Sequence, residues 1–400
     1  MESELVSERV NRIEVSPTMK VAAEAKKMMA EGLNVIDLSV GEPDFPTPRN
    51  ISDAAIKAIN ENHTKYTVNA GTVPLRKAIA KKLKDDNGVD YAISEIIVSS
   101  GAKQSIYNAV HSVIYDGDEV IIPAPYWVSY PEIVKLAMGK PVFVPTKEEN
   151  GFRLTAKELE AAITPKTKLL ILCNPSNPTG SAYNEKELRA LAEVIEDKDI
   201  WVLSDEIYEK LVYGGFKTKS FAALSEKIKQ KTILINGVSK SYSMTGWRIG
   251  YTAAPEPVIK GIDKIQSHST SNASSISQDA TLEALTGPQD AVEMMRVEFE
   301  KRRDYFHKEI TAIPGFSCYK PEGAFYLFPN VSGFIGKKYD KYTINNSMDF
   351  TMYLLYEAKI AAVPGSAFGA ENYIRFSYAT SMENLVDAVA RLKDVLGKLK

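Results

Sequence analysis

Lys240 and Arg248 stand eight residues apart in the stretch 232–251, TILINGVSKSYSMTGWRIGY, where a β-branched run empties into a loop of small residues. Lysine is the side chain that forms Schiff bases with carbonyl compounds, and a fixed guanidinium is the natural partner of a phosphate dianion. A loop that follows a buried strand holds such a lysine on a rigid edge facing a cavity. Together the two residues suggest pyridoxal phosphate as a cofactor. Each alone has a plainer reading, the lysine as a solvated loop charge and the arginine as one half of an ion pair.

Other groups with chemical potential fall at comparable places. Short apolar runs at 96–99, 119–123, 141–144, 169–173, 200–204, 232–236 and 249–253 read as strands, most of them separated by helical patterns. Such alternation predicts a mostly parallel sheet covered by helices on both faces, in which ligands bind beyond the carboxyl ends of the strands. Thr155 with Glu158 and Asn184 with Glu187 fit the capping box at two of the intervening helix starts. After the first strand, Gly101, Ala102 and Lys103 open a helix whose free N–H groups suit an anion. After the second, Tyr126 and Trp127 offer a surface for a flat ring or simply pack. After the fourth, Asn174 to Gly180 is a rigid turn exposing two amides, a composition shared by many surface turns. After the fifth comes Asp205, a carboxylate that a buried strand end tolerates when a cation such as a protonated pyridine faces it, and then Tyr208.

Earlier in the chain, 19–31 reads as a helix stopped by Gly32, and 35–40 as a short strand. The strand leads into Gly41-Glu42-Pro43-Asp44-Phe45-Pro46, which suits either a connector or a substrate loop. A second polar loop, 65–71, carries Tyr66.

With NPSNPTG at 174–180, SDEIY at 204–208 and SK at 239–240 followed by MTGWRIGY at 244–251, the chain resembles the class I aminotransferases of PLP fold type I. GEPDF at 41–45, PYWVSYPE at 125–132 and RFSYAT at 375–380 make it most similar to their bacterial aspartate (aspartate/prephenate) aminotransferase branch, from about Arg9 to the C-terminus. The resemblance implies an α/β fold, a seven-stranded mostly parallel sheet in a large cofactor domain with a smaller α+β domain beside it. It implies Lys240 as the residue that holds pyridoxal phosphate covalently and then moves the substrate α-proton. Asp205 would face the pyridine nitrogen, Tyr208 and Asn177 the ring oxygen, and Trp127 the ring itself. Arg248, Ser239 and the loop Gly101-Ala102-Lys103 would hold the phosphate, joined by Tyr66 from a second subunit of a homodimer. Arg375 would clamp the substrate α-carboxylate, aided by Gly41, with Trp127 and Asn177 also on the substrate.

Two departures bear on the substrate. The segment 266–278, QSHSTSNASSISQ, lacks the arginine that many relatives contribute to the distal carboxylate. Of a second pattern Thr18 is kept, but the lysines expected where Glu14 and His111 stand are missing. Thr18 and His111 are the candidates that remain for the distal site, with Arg12 as a further cation. The expected reaction is amino-group exchange between L-aspartate, or a similar amino acid, and 2-oxoglutarate. Transamination of prephenate or of aromatic or neutral amino acids, or lyase chemistry on the same fold, are the alternatives.

Composition fits this reading. At 400 residues, 44% hydrophobic and 25% charged, the chain is long enough for one large core and a second smaller one. We expect residues 1–47 to join 291–400 in the small domain and 48–290 to form the large one. A formal charge of -2 without a basic run points to small-molecule substrates rather than nucleic acid or membrane. A charged N-terminus and no run long enough to span a bilayer point to the cytoplasm. Cys173 and Cys318 read as buried free thiols, and the four histidines form no metal-binding pattern.

Overall fold

The computed structural model describes residues 6–14 and 18–400, and for residues 18–20 the backbone alone. Seven apolar runs build one sheet: β1 (Ile96–Ser99), β2 (Glu119–Ala124), β3 (Lys140–Pro145), β4 (Thr167–Cys173), β5 (Trp201–Asp205), β6 (Thr232–Gly237) and β7 (Gly250–Ala253). Their spatial order is β1-β7-β6-β5-β4-β2-β3. β7 runs antiparallel to both of its neighbours, and every other pairing is parallel. The sequence-predicted strands agree with these to within two residues at either end, because strand interiors covered on both faces are predominantly apolar.

Alternation along each strand sends side chains to two different cores. Ile97, Ile122, Leu203 and Ile233 pack on one face with Ile106 and Val110 of the helix Ala102–Val113 and Ile262 of Glu256–Ser267. Val98 and Leu234 pack on the other face against Leu75 and Ile79 of the helix Val73–Asn87. Both capping boxes form: Thr155 Oγ1 accepts from the Glu158 N–H at 3.2 Å, and Asn184 Oδ1 from that of Glu187 at 3.0 Å.

A second body of structure abuts the strand ends. The helix α1 (Thr18–Ala30) ends near Gly32, whose φ of +84° is open to glycine without strain. Later come α2 (Asp290–Thr311), the antiparallel strands β8 (Tyr326–Leu327), β9 (Val363–Pro364) and β10 (Ile374–Ser377), and α3 (Met382–Leu396). Phe299 and Phe306 of α2, Leu327 of β8, Phe376 of β10 and Leu392 of α3 share one core. The expected strand at 35–40 shrinks to Ile36–Asp37, which pairs in parallel with Ile360–Ala361. Leu38 N–H still donates to Ala361 O at 2.9 Å, and beyond it the backbone turns away: Ser39 N–H and Oγ donate to the Asp37 carboxylate, and the following residues enter the cavity wall.

Candidate active site

The ends of β1, β4, β5 and β6 and one edge of β10 converge on a cavity of about 560 Å³. Lys240, three residues past β6, reaches into it, and its Nζ donates to Gly41 O at 2.5 Å. Burial disfavours the ammonium form, Glu42 opposes that effect, and Arg375 and Arg248 reinforce it, so the Lys240 pKa is pushed down to about 8. An amine with that value is substantially neutral just above neutral pH, as a nucleophile or base must be.

Asp205 closes β5 and is 4% exposed. Its carboxylate accepts from Tyr130 Oη at 2.7 Å and from the Ile207 N–H at 3.3 Å. Those bonds favour the anion, yet burial outweighs them and raises the pKa to about 6. One turn of chain later, Tyr208 shares a hydrogen bond with Tyr326 across 2.8 Å. Burial holds the Tyr208 phenol far above its ordinary range, so it stays protonated.

On the β1 side, Gly101 has φ +90°, and a Cβ there would meet Arg248 Nη2 at 2.3 Å. A Cβ on Gly250 would strike the Ala102 backbone nitrogen, also at 2.3 Å. Two glycines thus let the guanidinium approach the first turn of the helix Ala102–Val113, whose leading N–H groups have no partner within the helix. Arg248 sits in left-handed backbone at φ +57° and donates to Thr245 O at 2.9 Å. A non-glycine residue in that conformation is strained, and the strain aims its side chain at the helix start.

Arg375, on β10, donates from Nη1 to Asn177 Oδ1 at 3.0 Å and from Nη2 to Ser39 O at 2.6 Å. The guanidinium lies 4.5 Å over the ring of Tyr326 and is 7% exposed, and its buried Nε has no hydrogen-bond partner. An unsatisfied buried donor beside an open cavity is suited to an incoming carboxylate. Trp127 lines the same space, edge-on to Tyr130 at 5.2 Å, with the Lys103 ammonium 5.0 Å over its ring.

Of the residues singled out in the sequence, Gly41, Ala102, Lys103, Trp127 and Asn177 line this one cavity. So do Asp205, Tyr208, Ser239, Lys240, Arg248 and Arg375. Gly101 lies just behind Arg248. Tyr66 is 92% exposed on its loop. His111 stands outside the lining: its ring stacks on Tyr107 at 3.9 Å, and Nδ1 hydrogen-bonds Tyr107 O at 2.9 Å. Arg12 also stands outside it, paired with Glu8 at 2.7 Å. Thr18 opens α1, and its side chain lies outside the described residues.

Sequence reasoning passed over Tyr130, Tyr326 and Lys26, all of which line the cavity. Tyr130 lies in the first turn of the helix Ser129–Leu136, three residues after Trp127, and its place just past the end of β2 is the signal that could have found it. Lys26 follows Ala22 by four residues on α1 and lines the same wall, and it has no hydrogen-bond or ion-pair partner among the described residues. Tyr326 carries no local signal, since only packing of β8 brings it to Tyr208.

The donor set matches pyridoxal phosphate. A neutralisable amine meets an aldehyde, a guanidinium with free helix N–H groups meets a phosphate dianion, and a buried carboxylate awaiting a cation meets a ring N–H. The glycine-permitted approach of Arg248 to Ala102 is the cradle such a phosphate needs. Among the described residues no group of three or more His, Cys, Asp or Glu could hold a metal ion.

Fold and cavity together set a buried amine beside a guanidinium and a helix start at the strand ends of an α/β protein. The family model for aminotransferase class I and II matches residues 34–392. The chain is 49% identical to the aspartate aminotransferase of Bacillus subtilis (strain 168), over 98% of this chain and 99% of that one. It is 49% identical to the probable aspartate/prephenate aminotransferase of Rickettsia bellii, over 99% of this chain and 100% of that one. The crystal structure of the aspartate aminotransferase from Rhizobium meliloti superposes with a TM-score of 0.96 at 45% identity, covering 99% of each chain. The chain belongs to the class I and II aminotransferases.

Proposed function

We propose that this aminotransferase exchanges an amino group between L-aspartate and 2-oxoglutarate, using pyridoxal phosphate. The observation that carries the reading is the convergence of Lys240, Asp205 and Arg375 on one cavity. The names of the two relatives support aspartate as donor.

Lys240, Asp205 and Arg248 would hold the cofactor, with the Ala102, Lys103 and Ser239 backbone at its phosphate, Trp127 on its ring, and Asn177 and Tyr208 at its ring oxygen. When bound, pyridoxal phosphate supplies an aldehyde that condenses with amines and a ring that takes up the electrons of the broken Cα–H bond. Arg375 binds the substrate α-carboxylate, and its bonds to Asn177 and Ser39 set its direction. Lys240 would take the proton from the substrate Cα and deliver it to the carbon that the cofactor's aldehyde supplies, its lowered pKa letting it accept and release that proton near neutral pH. Asp205 holds a proton on its ring-side partner, and Tyr130 holds Asp205. The test is direct: aspartate and 2-oxoglutarate should yield oxaloacetate and glutamate, with prephenate assayed as a second acceptor. Release of ammonia or of a decarboxylated product in place of glutamate would overturn the transaminase reading.

For the second carboxylate, Lys26 and Lys103 are the cavity-lining cations left once Lys240, Arg248 and Arg375 have their roles. His111 and Thr18 stay as the sequence-based candidates, and pH separates a histidine from a lysine. We expect the ratio of kcat/KM for aspartate to that for alanine to be flat from about pH 6 to about 9 and unchanged in His111→Gln. Lys26→Met should lower it about tenfold, the loss typical of one charge-assisted hydrogen bond. A ratio that falls with pH in wild type and flattens in His111→Gln would return the role to His111.

We also propose a homodimer in which Tyr66 reaches the partner's phosphate site. Tyr66, Val68 at 60% and Ile59 at 51% exposure present apolar surface of the kind that associates. Sedimentation at assay concentration should give twice the mass of 44.2 kDa, and an active monomer would remove the proposal. The domain boundaries proposed are 47/48 and 290/291, the second supported by α2 beginning at Asp290.

A further inference from the structure

The loop between the strand Ile36–Asp37 and the helix beginning at Arg49 crosses the cavity as a strap fastened on three sides. Its Ser39 carbonyl accepts from Arg375 at 2.6 Å, and its Gly41 carbonyl accepts from Lys240 at 2.5 Å. Farther on it is stitched to the lysine-bearing loop. Thr245 Oγ1 donates to Glu42 at 2.7 Å, Ser243 Oγ donates to Phe45 O, and Thr47 Oγ1 donates to Ser243 O at 2.7 Å. Trp247 Nε1 in turn donates to Thr47 Oγ1 at 2.9 Å.

The third fastening is at α2. Arg302 Nη1 pairs with Asp44 Oδ1 at 2.7 Å, with the arginine side chain 6% exposed. Its guanidinium lies 4.9 Å over the ring of Phe45 and 5.6 Å over that of Phe299, and these two rings meet edge-on at 5.4 Å. Arg302 Nε also donates to Glu298 at 3.3 Å. Arg302 does not line the cavity. A pair buried on the arginine side and stacked between two rings is fixed in geometry; loss of Asp44 leaves the buried guanidinium with Glu298 alone, and loss of Arg302 frees Asp44, 29% exposed, from α2. The strap's two inward carbonyls are backbone atoms, so their positions follow from where the strap is tied.

We propose that the Asp44–Arg302 pair is a positioning device for the reaction: it ties the strap to α2 and so sets the carbonyls that orient Lys240 and Arg375. The inference rests on the roles given above to those two residues. The charged groups facing Lys240 are Glu42 on the strap, Asp205 from β5, Arg248 from its own loop and Arg375 from β10. Loosening the strap lets water reach Lys240, and relief of burial, the dominant influence on that amine, favours its charged form.

The test uses the full-length enzyme loaded with pyridoxal phosphate, in wild type, Asp44→Asn, Arg302→Gln and the double variant. Each single variant should raise the pH midpoint of the visible absorbance, which titrates the Lys240 nitrogen as it holds the cofactor and feels the same burial, by more than about 0.5. Each should weaken binding of succinate at least about tenfold, and the double variant should do no worse than either single one, because the pair acts as a unit. Arg302→Lys, which keeps the charge but loses the planar stacking, should fall between wild type and Arg302→Gln and serves if the glutamine variant does not fold. Midpoints that stay put or fall, or single effects that add in the double variant, would overturn the proposal. A wild-type protein with no visible band after addition of pyridoxal phosphate would instead overturn the functional reading beneath it.

Discussion

Lys240→Ala will eliminate transamination, with a loss on the order of the 10⁶-fold seen when a covalent nucleophile is removed from an enzyme. The expectation follows from placement. Lys240 is the one cavity-lining amine whose pKa is brought to about 8, and its Nζ points across the cavity at Gly41 O. Lys103, also in the lining, has its ammonium over the Trp127 ring, with its pKa lowered by burial and by Arg248. It stands at the helix start beside Arg248, where the phosphate is proposed to bind, and has no carboxylate partner among the described residues. The companion measurement is chemical: wild-type protein mixed with pyridoxal phosphate should be yellow, and borohydride reduction should fix the label on the peptide containing Lys240. A label mapped to Lys103 or Lys26, or an alanine variant that still turns over, would remove Lys240 from the role.

Asp205→Asn will have opposite effects on activity and on stability. Activity should fall by at least about 10³-fold, because a neutral amide no longer stabilises a protonated ring nitrogen, and loss of a preorganised charge partner carries penalties of that size. Cofactor affinity should fall much less, since the phosphate contacts proposed for Arg248 and the helix start are untouched. Stability of the cofactor-free protein should rise instead. The folded-state pKa of Asp205, about 6, lies above the ordinary value of 3.8, so the folded protein retains a proton over that interval that the unfolded chain has released. Its contribution to stability therefore declines as pH climbs through the window and stays unfavourable above it. At about 1.4 kcal/mol per pH unit, ionised Asp205 lowers stability by roughly 3 kcal/mol above pH 6. Asparagine keeps the acceptor for Tyr130 and removes the charge. Thermal unfolding of cofactor-free wild type and variant should show the variant more stable at pH 8, with the gap closing toward pH 4. Equal stability at both pH values would mean that the carboxylate is better solvated than its burial implies.

The same residue shows how function and local sequence part company. A buried strand that ends in an unpaired carboxylate lowers the stability of the fold, and it makes chemical sense only where a cationic partner arrives. The like-charged Glu206 beside it has a different solution. Facing the other side of the sheet, it accepts from Ser204 and Ser220 at 2.8 Å each, and burial with Glu209 nearby raises its pKa to about 7. Two adjacent carboxylates on one strand end thus serve two environments, which period-2 alternation imposes and composition alone cannot distinguish.

Much of this protein is written in its local sequence. The seven strands of the sheet are legible because strand interiors between two covered faces are mostly apolar, so each shows an apolar stretch bounded by turns, with polar residues mainly toward the strand ends and exposed positions on the edge strand β3. The two capping boxes are legible because a helix start needs particular side chains at particular offsets. The strand-end residues Lys240, Asp205 and Asn177 are legible because an open α/β sheet exposes chemistry at one end of its strands. What the tertiary structure alone decided is which distant groups meet there. Tyr130 reaches Asp205 because the order β5-β4-β2 brings the helix after β2 over the end of β5. Tyr326 reaches Tyr208, and Ser39 and Gly41 meet Arg375 and Lys240, only through packing of the second body of structure on the first. The stretch 35–40, which reads as a strand, becomes a two-residue strand and a strap, because from Ser39 onward its carbonyls find partners at the cavity, Arg375 and Lys240, in place of a sheet edge. His111, a residue whose type fits the distal site, turns back on its own helix. Side-chain periodicity records which positions are buried, but a contact between residues far apart in the chain depends on strand order and on the angle at which two cores meet, and neither quantity is stored in any one stretch.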